Sequence, residues 1–158
     1  MRRTILVTLA ASAIIAALAT GALAAAPKFH SATSSVNNAG ALVVSFDERG
    51  LGNGDVDYTL TANSTATWAC INGGGRNPSA ANKRSISSPV VANGSFEAKN
   101  GRVIASLTAG PPGPGDFACP PGQRQVLASV SYTNIVLTDT TNGVSTSVPD
   151  ASRTFFNV

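Results

Sequence analysis

The sequence has little of what most catalytic sites are built from. Its 158 residues include one histidine, His30, and two cysteines, Cys70 and Cys119. It contains no Gly-x-Ser-x-Gly, His-Glu-x-x-His or Ser-x-x-Lys motif, so the enzyme classes that these motifs mark have no support. A Ser–His mechanism would have to use His30, and nothing in that segment would hold a catalytic base in place. The sequence therefore predicts no catalytic residue and no cofactor.

A metal-binding pattern is also lacking. Structural zinc sites need three or four ligands, and neither cysteine has a histidine or a further cysteine nearby. The densest acidic group lies among glycines and matches no EF-hand spacing. We interpret this group as an acidic connection and predict no metal site, with a calcium site or a glycosidase pair as alternatives. Its members are Asp47, Glu48, Asp55 and Asp57.

The N-terminus has the three parts of a secretory signal peptide. Arg2 and Arg3 form a basic head, residues 5–19 are almost wholly apolar, and Ala22-Leu-Ala24 is an Ala-x-Ala exit. We predict cleavage between Ala24 and Ala25. The apolar run is short for a bilayer-spanning helix, so the mature chain is predicted to be extracellular and free of the membrane. The predicted organisation is a signal peptide helix at 1–24, a flexible N-terminal arm at 25–40 and a single domain at 41–158.

The charge of the mature chain is nearly balanced. The whole sequence has 11 Lys and Arg against 8 Asp and Glu, and Arg2 and Arg3 leave with the leader, so the mature balance is 9 − 8 = +1. No cluster of basic residues with interleaved aromatics remains, and nucleic acid is therefore not a predicted partner. The predicted partner is an extracellular ligand or a cell-wall component, and the sequence leaves the oligomeric state open.

The mature chain shows the period of β-strands and no helical period. Between Val56 and Ile71, apolar residues alternate with threonines and asparagines, which predicts one long strand with a buried face and a solvated face. Six further extended stretches are separated by Gly, Pro and Asn turns, near 41–47, 85–98, 103–108, 125–139, 144–148 and 153–158. This pattern predicts an all-β, immunoglobulin-like sandwich of two antiparallel sheets with about eight strands.

Local residues predict three details of this sandwich. The Asn-Gly pair at Asn100-Gly101 indicates a β-hairpin with a tight primed turn, and Asn142-Gly143 indicates a second turn of this kind. Pro89 indicates an edge strand or a break, because proline cannot donate to a sheet. The apolar parity changes near Thr133-Asn134, which indicates a β-bulge or a change of sheet.

The two cysteines of an exported chain predict a disulfide. It would close a loop of about 50 residues and stabilise the fold by roughly 4 kcal/mol in the chain-entropy model. It would also bring together two Gly- and Pro-rich segments, residues 72–78 and 110–122.

These joined segments are the predicted binding surface. Consecutive glycines expose backbone N–H groups, and nearby basic and aromatic side chains suit an anionic ligand, a sugar or a protein partner. The alternative is that Gly and Pro only make the turns. The predicted binding residues are Asn72, Gly73, Gly74, Gly75, Arg76, Asn77, Lys83, Arg84, Phe117 and Arg124.

Two stretches, Cys70–Lys83 with its Cys-x-Asn-Gly-Gly-Gly segment and Val126–Thr141, carry a resemblance. With them the chain resembles a group of small exported bacterial all-β proteins of uncharacterised function. The resemblance runs from about Leu42 to the C-terminus. It implies secretion and a shared fold, and it implies no activity or catalytic residue.

The sequence thus favours a secreted, non-catalytic β-domain that binds an extracellular ligand, wall polymer or protein through the disulfide-joined segments. This hypothesis depends on the missing catalytic motifs, because a fold alone does not specify a function. The alternatives are a secreted carboxylate-dependent hydrolase and a self-assembling structural protein of the surface.

Overall fold

A computed structural model describes residues 26–72 and 82–158. These residues form no α-helix, and none of them belongs to a helix long and apolar enough to cross a membrane. The predicted leader at 1–24 lies outside the described residues. Eight strands are present among the described residues, which confirms the all-β prediction: β1 (Lys28–Val36), β2 (Leu42–Arg49), β3 (Gly54–Asn72), β4 (Lys83–Ala98), β5 (Arg102–Ala109), β6 (Gln123–Asp139), β7 (Val144–Val148) and β8 (Ala151–Thr154).

The strands form two antiparallel sheets, as predicted. The short sheet has the order β1-β2-β5, and the long sheet has the order β4-β3-β6-β7, with β8 also paired to β6. Apolar side chains at alternate positions of both sheets fill the space between them, which is the usual origin of a sandwich core. The largest fully buried apolar and aromatic side chains are Tyr58, Tyr132, Leu42, Leu60, Ile135 and Leu137.

The segment predicted as a flexible arm at 25–40 is largely strand β1, so that part of the domain assignment is wrong. A register shift between Phe29 and Ser31 places His30 in a β-bulge. Phe29 points inward before the bulge, and Ala32 and Val36 point inward after it. The step from Phe29 to Ala32 is three residues, which breaks the two-residue period that a strand otherwise shows. Alternation within this segment was therefore hidden, although its pairing with β2 runs from Lys28 to Val36.

A predicted irregularity in β6 is confirmed. The register between β3 and β6 shifts between Thr133 and Val136 of β6, and Asn134 in this interval has a φ of 52°. Strands β7 and β8 pair with the other edge of β6. They keep one register across the interruption at residues 149–150, since Ile135 pairs with Val148 and Tyr132 with Ala151. The two short strands therefore act as one broken edge strand beside the bulge.

The predicted turns and edge strand are also confirmed. Asn100 and Gly101 have φ angles of 53° and 72°, and Lys99 and Arg102 exchange backbone hydrogen bonds of 2.9 and 3.2 Å. This primed turn leads from β4 in the long sheet to β5 in the short sheet, so the pairing expected of a hairpin is limited to the bridge between Lys99 and Arg102. β4, which contains Pro89, lies at the edge of the long sheet.

We predict that Gly101→Ala destabilises the domain more than Gly143→Ala. Both glycines have a positive φ, 72° and 71°, where an L-residue costs about 1–2 kcal/mol. A Cβ at Gly101 would also lie 2.9 Å from the backbone oxygen of Leu51, whereas nothing lies within 4 Å of one at Gly143. Urea unfolding should show an extra loss of roughly 1 kcal/mol for Gly101→Ala. Equal losses would show that the close approach to Leu51 has no energetic effect.

Candidate functional site

The predicted disulfide is present between Cys70 and Cys119, with the two Cα atoms 5.5 Å apart. Cys70 lies near the end of β3, and Cys119 lies in the irregular segment 110–122 that joins β5 to β6. The bond therefore fixes this Pro- and Gly-rich segment to the end of the long sheet. We refer to residues 110–122 as the Pro-Gly segment.

The Pro-Gly segment covers the core-side face of the long sheet where the short sheet has ended. The indole Nε1 of Trp68 donates a hydrogen bond of 3.0 Å to the carbonyl oxygen of the buried Pro112. The side-chain amide of Gln125 donates to the carbonyl of Phe117. A Cβ at Gly115 would lie 3.8 Å from the Ile86 side chain. The segment thus contacts β3, β6 and β4 in turn.

A cavity of about 280 Å³ opens beside this covered region. β8 pairs with no residue of β6 before Ser129, so the preceding part of this edge is uncovered by β8. The cavity lies along that part of β6. The backbone N–H groups of Phe155 and Phe156 donate to the carbonyl of Ala128, which holds the C-terminal residues against this edge. The cavity is lined by Asn38, Ala39, Trp68, Arg124, Gln125, Val126, Leu127, Phe155 and Phe156.

The cavity combines aromatic walls with a few polar groups. Trp68 is half-buried and its orientation is fixed by the bond to Pro112, while Phe156 is 37% exposed. Arg124 is exposed and offers guanidinium donors at the rim. Such a mixture of apolar surface and convergent polar groups is typical of small-ligand sites.

The structure places the predicted binding residues in different locations. Arg124 lines the cavity. Phe117 is half-buried in the Pro-Gly segment and does not line it. Lys83 and Arg84 begin β4, and Arg84 pairs with Trp68 of β3. Because β3 lies between β4 and β6, β4 is about 10 Å from the strand β6 that lines most of the cavity. Asn72 ends β3, and Gly73, Gly74, Gly75, Arg76 and Asn77 lie outside the described residues.

Sequence reasoning missed the aromatic walls. The sequence pattern indicates only an inward strand position for Trp68 and only a closing strand at residues 153–158. β8 in fact ends at Thr154, so Phe155 and Phe156 are free to turn onto β6. The excess of aromatic residues at 155–156 was a signal, but its partner across the chain could not be inferred from spacing.

The acidic group at 47–57 is not the simple connection that the sequence predicted. Asp47 and Glu48 belong to β2 and point to opposite faces of the short sheet. Asp55 and Asp57 are exposed on β3. Within residues 26–72 and 82–158, no three His, Cys, Asp or Glu side chains come together as metal ligands. The four carboxylates are therefore dispersed by the folding of the strands.

Asp47 is held on the outer face by two arginines. Arg102 donates hydrogen bonds of 2.7 and 2.8 Å to its two oxygens, and Arg49 donates one of 2.9 Å. These hydrogen bonds, with Arg102 first, hold the pKa of Asp47 well below its usual range. The carboxylate therefore stays charged and fixes the position of both guanidinium groups.

Glu48 is buried between the sheets without a hydrogen bond. Neither of its carboxyl oxygens has a partner among the described residues, and the buried hydroxyl of Tyr58 has none either. Asp139 is also fully buried and accepts hydrogen bonds of 2.9 and 2.7 Å from the backbone and side chain of Asn142. Loss of solvent raises the pKa of Glu48 to about 7, the charge of Asp139 adds to this effect, and the nearby Tyr58 hydroxyl opposes it.

The sequence contained a signal for this buried carboxyl. The inward positions of β2 are Leu42, Val44 and Phe46, and continuing their alternation leads directly to Glu48. A strand that was predicted to end at Asp47 hid this position.

In comparisons with known proteins, no protein-family model, no curated protein and no solved structure matches this chain. The resemblance inferred from the sequence therefore stays a prediction.

We predict that the domain loses stability as the pH rises from about 4.5 to neutrality. The pKa of Glu48 is about 7 in the folded chain against an ordinary 4.5, so the folded state retains a proton that the unfolded state releases. This contribution is complete below pH 4.5 and declines between pH 4.5 and 7, by up to about 1.4 kcal/mol per pH unit. Urea unfolding at several pH values measures the decline.

The matched variants are Glu48→Gln and Glu97→Gln. Glu48→Gln keeps a neutral side chain at every pH and should flatten the decline, whereas Glu97 is exposed and its substitution should leave the slope unchanged. The pH dependence that Asp47 contributes has the opposite sign. Its pKa is lowered in the folded chain, so its contribution to stability is lost only as the pH falls below the ordinary pKa of 3.8. A Glu48→Gln slope equal to that of the wild type would contradict the assignment.

Proposed function

We propose that this protein is a secreted, non-catalytic β-domain that binds a polysaccharide of the extracellular matrix or cell wall. The observation that supports it best is the cavity beside the disulfide-anchored Pro-Gly segment, with Trp68, Phe155 and Phe156 around a guanidinium rim. Aromatic faces pack against the apolar faces of sugar rings, while amide and guanidinium groups donate to sugar hydroxyls. The site is thus suited to a polar ligand with apolar faces.

Its position on rigid elements favours binding. Trp68 lies on the central strand β3, and its indole is fixed by Pro112, which the disulfide holds near the sheet. Arg124 and Gln125 lie on the neighbouring strand β6. Side chains that are ordered before the ligand arrives lose less entropy when it binds.

Export is part of the same proposal. A disulfide persists in oxidising compartments and is rare in the cytosol, and the Cys70–Cys119 bond fixes the segment on which the site depends. The disulfide and the predicted leader therefore support the same location outside the cell.

We predict that the mature chain is retained by insoluble wall polysaccharide and that Phe156→Ala weakens this retention. Phe156 follows the last strand and is 37% exposed, so its truncation removes ligand contact with little loss of core. A loss of about 1–2 kcal/mol, or roughly five- to thirty-fold in affinity, is expected for an aromatic contact. Co-sedimentation with purified wall polysaccharides, followed by titration with soluble fragments, measures it.

The matched control is Ile104→Ala, because Ile104 is another exposed apolar side chain, at 67%, on the outer face of the short sheet. It should bind as the wild type does. Reduction of the disulfide should weaken binding of wild-type protein by releasing the Pro-Gly segment. Equal losses for both alanine variants, or retention of none of the proteins, would contradict a polysaccharide site at the cavity.

A further inference from the structure

The outer face of the short sheet carries a row of basic residues at the end remote from the disulfide. Lys28 on β1 pairs directly with Arg49 on β2, and Arg49 pairs directly with Arg102 on β5. Residues paired across antiparallel strands project from the same face. Three cationic side chains therefore cross the sheet side by side, over about 10 Å from the first strand to the third. We call Lys28, Arg49 and Arg102 the basic row.

Like charges directly opposite each other destabilise a sheet, so this arrangement needs compensation. Asp47 supplies part of it, because it accepts hydrogen bonds from Arg49 and Arg102. Both guanidinium groups remain accessible, with side-chain exposures of 48% and 43%. Lys28 is exposed and forms no ion pair with any residue of 26–72 or 82–158. Among the described residues, Asp47 is thus the one carboxylate that forms ion pairs with any of these three cations.

The basic row adjoins a formed depression and not a flat surface. A cavity of about 310 Å³ is lined by Ala26, Lys28, Phe29, His30, Arg49 and Gly50. The bulge at His30 brings an extra exposed side chain to this rim, and bulges commonly re-aim side chains beside functional sites. The imidazole adds a hydrogen-bonding group next to Lys28.

The charge is confined to this end of the face. Farther along the three strands, the outward positions that pair with one another are neutral: Thr33, Ser45 and Ser106, then Ser35, Val43 and Thr108. The basic row is therefore a localised feature and does not result from a generally basic surface, since the mature chain has a predicted net charge near zero.

We propose that the basic row binds an extended anionic polymer that carries repeating phosphate groups. Charge complementarity selects an anion. Asp47 accepts hydrogen bonds from the Nε and Nη2 groups of Arg49 and Arg102, which orients both guanidinium groups and leaves their Nη1 donors for phosphate oxygens. The spread of the cations over three strands selects a polymer, since a single phosphate ion would contact one or two of them. The site lies on a different sheet and at the opposite end from the aromatic cavity, and it is independent of the proposed polysaccharide binding.

Long-chain inorganic polyphosphate is the probe for the test. The wild-type chain should bind it at low ionic strength, and binding should weaken as salt screens the charges. Lys28→Gln should lower the affinity about three-fold and the double variant Lys28→Gln/Arg49→Gln about ten-fold, as expected for exposed charge contacts of a few tenths to one kcal/mol each. Lys28→Gln leaves the ion pairs of Asp47 intact, and we therefore expect it to leave the stability of the fold unchanged. Thermal unfolding of each variant verifies this.

The matched control is Lys83→Gln/Arg84→Gln, which makes the same change in net charge at the other end of the molecule. It should retain wild-type affinity for polyphosphate, because neither residue lines the cavity beside the basic row or the aromatic cavity. Equal losses in both double variants, a loss only in the control, or no binding by the wild type would overturn the proposal. If orthophosphate competes as well as polyphosphate at the same concentration of phosphate groups, the proposal that the ligand is a polymer would be wrong. Phe156→Ala should bind polyphosphate normally, so the two sites fail separately.

Discussion

The two sheets of this sandwich differ in length, and most other features of the structure follow from that difference. The strands of the short sheet have 8 or 9 residues, while β3, β4 and β6 have 19, 16 and 17. At about 3.3 Å per residue, β3 extends roughly 60 Å and the short sheet about 30 Å. Nearly half of the long sheet therefore needs another cover for its apolar face. The Pro-Gly segment provides that cover, and the disulfide and the Trp68–Pro112 hydrogen bond hold it there.

Strand parity explains how two adjacent carboxylates acquire opposite chemistry. Asp47 points outward, where two arginines lower its pKa and keep it charged. Glu48 points inward, where burial raises its pKa and favours the neutral form. A one-residue step along a strand changes the face, so the backbone alone decides which carboxylate is paired. The buried Glu48 lies against Tyr58 and Asp139 of the long sheet, and a neutral carboxyl there avoids a second buried negative charge.

The sequence allowed prediction of features that local chemistry determines. Alternation specified β3, the Asn100-Gly101 pair specified a primed turn, and the predicted export signal made the pairing of Cys70 with Cys119 the simplest expectation. It failed where a bulge interrupts the period, as at His30, which hid β1. It also failed where residues remote in the chain meet. Trp68 and Phe156 are 88 positions apart, since 156 − 68 = 88, and only the end of β8 and the exposed edge of β6 bring them to one cavity.

The length of the long sheet also separates the two proposed sites. The aromatic cavity lies near Trp68 on β3. The basic row lies level with the start of that strand, because Arg49 of the row follows Glu48, which packs near Tyr58. About ten residues of β3 lie between these levels, or roughly 30 Å. A short oligosaccharide cannot span that distance, whereas a polymer with sugar and phosphate groups would be long enough to reach both proposed sites. Joint occupancy would then raise affinity through effective concentration without any new contact, and short fragments of the same polymer would bind each site singly and weakly.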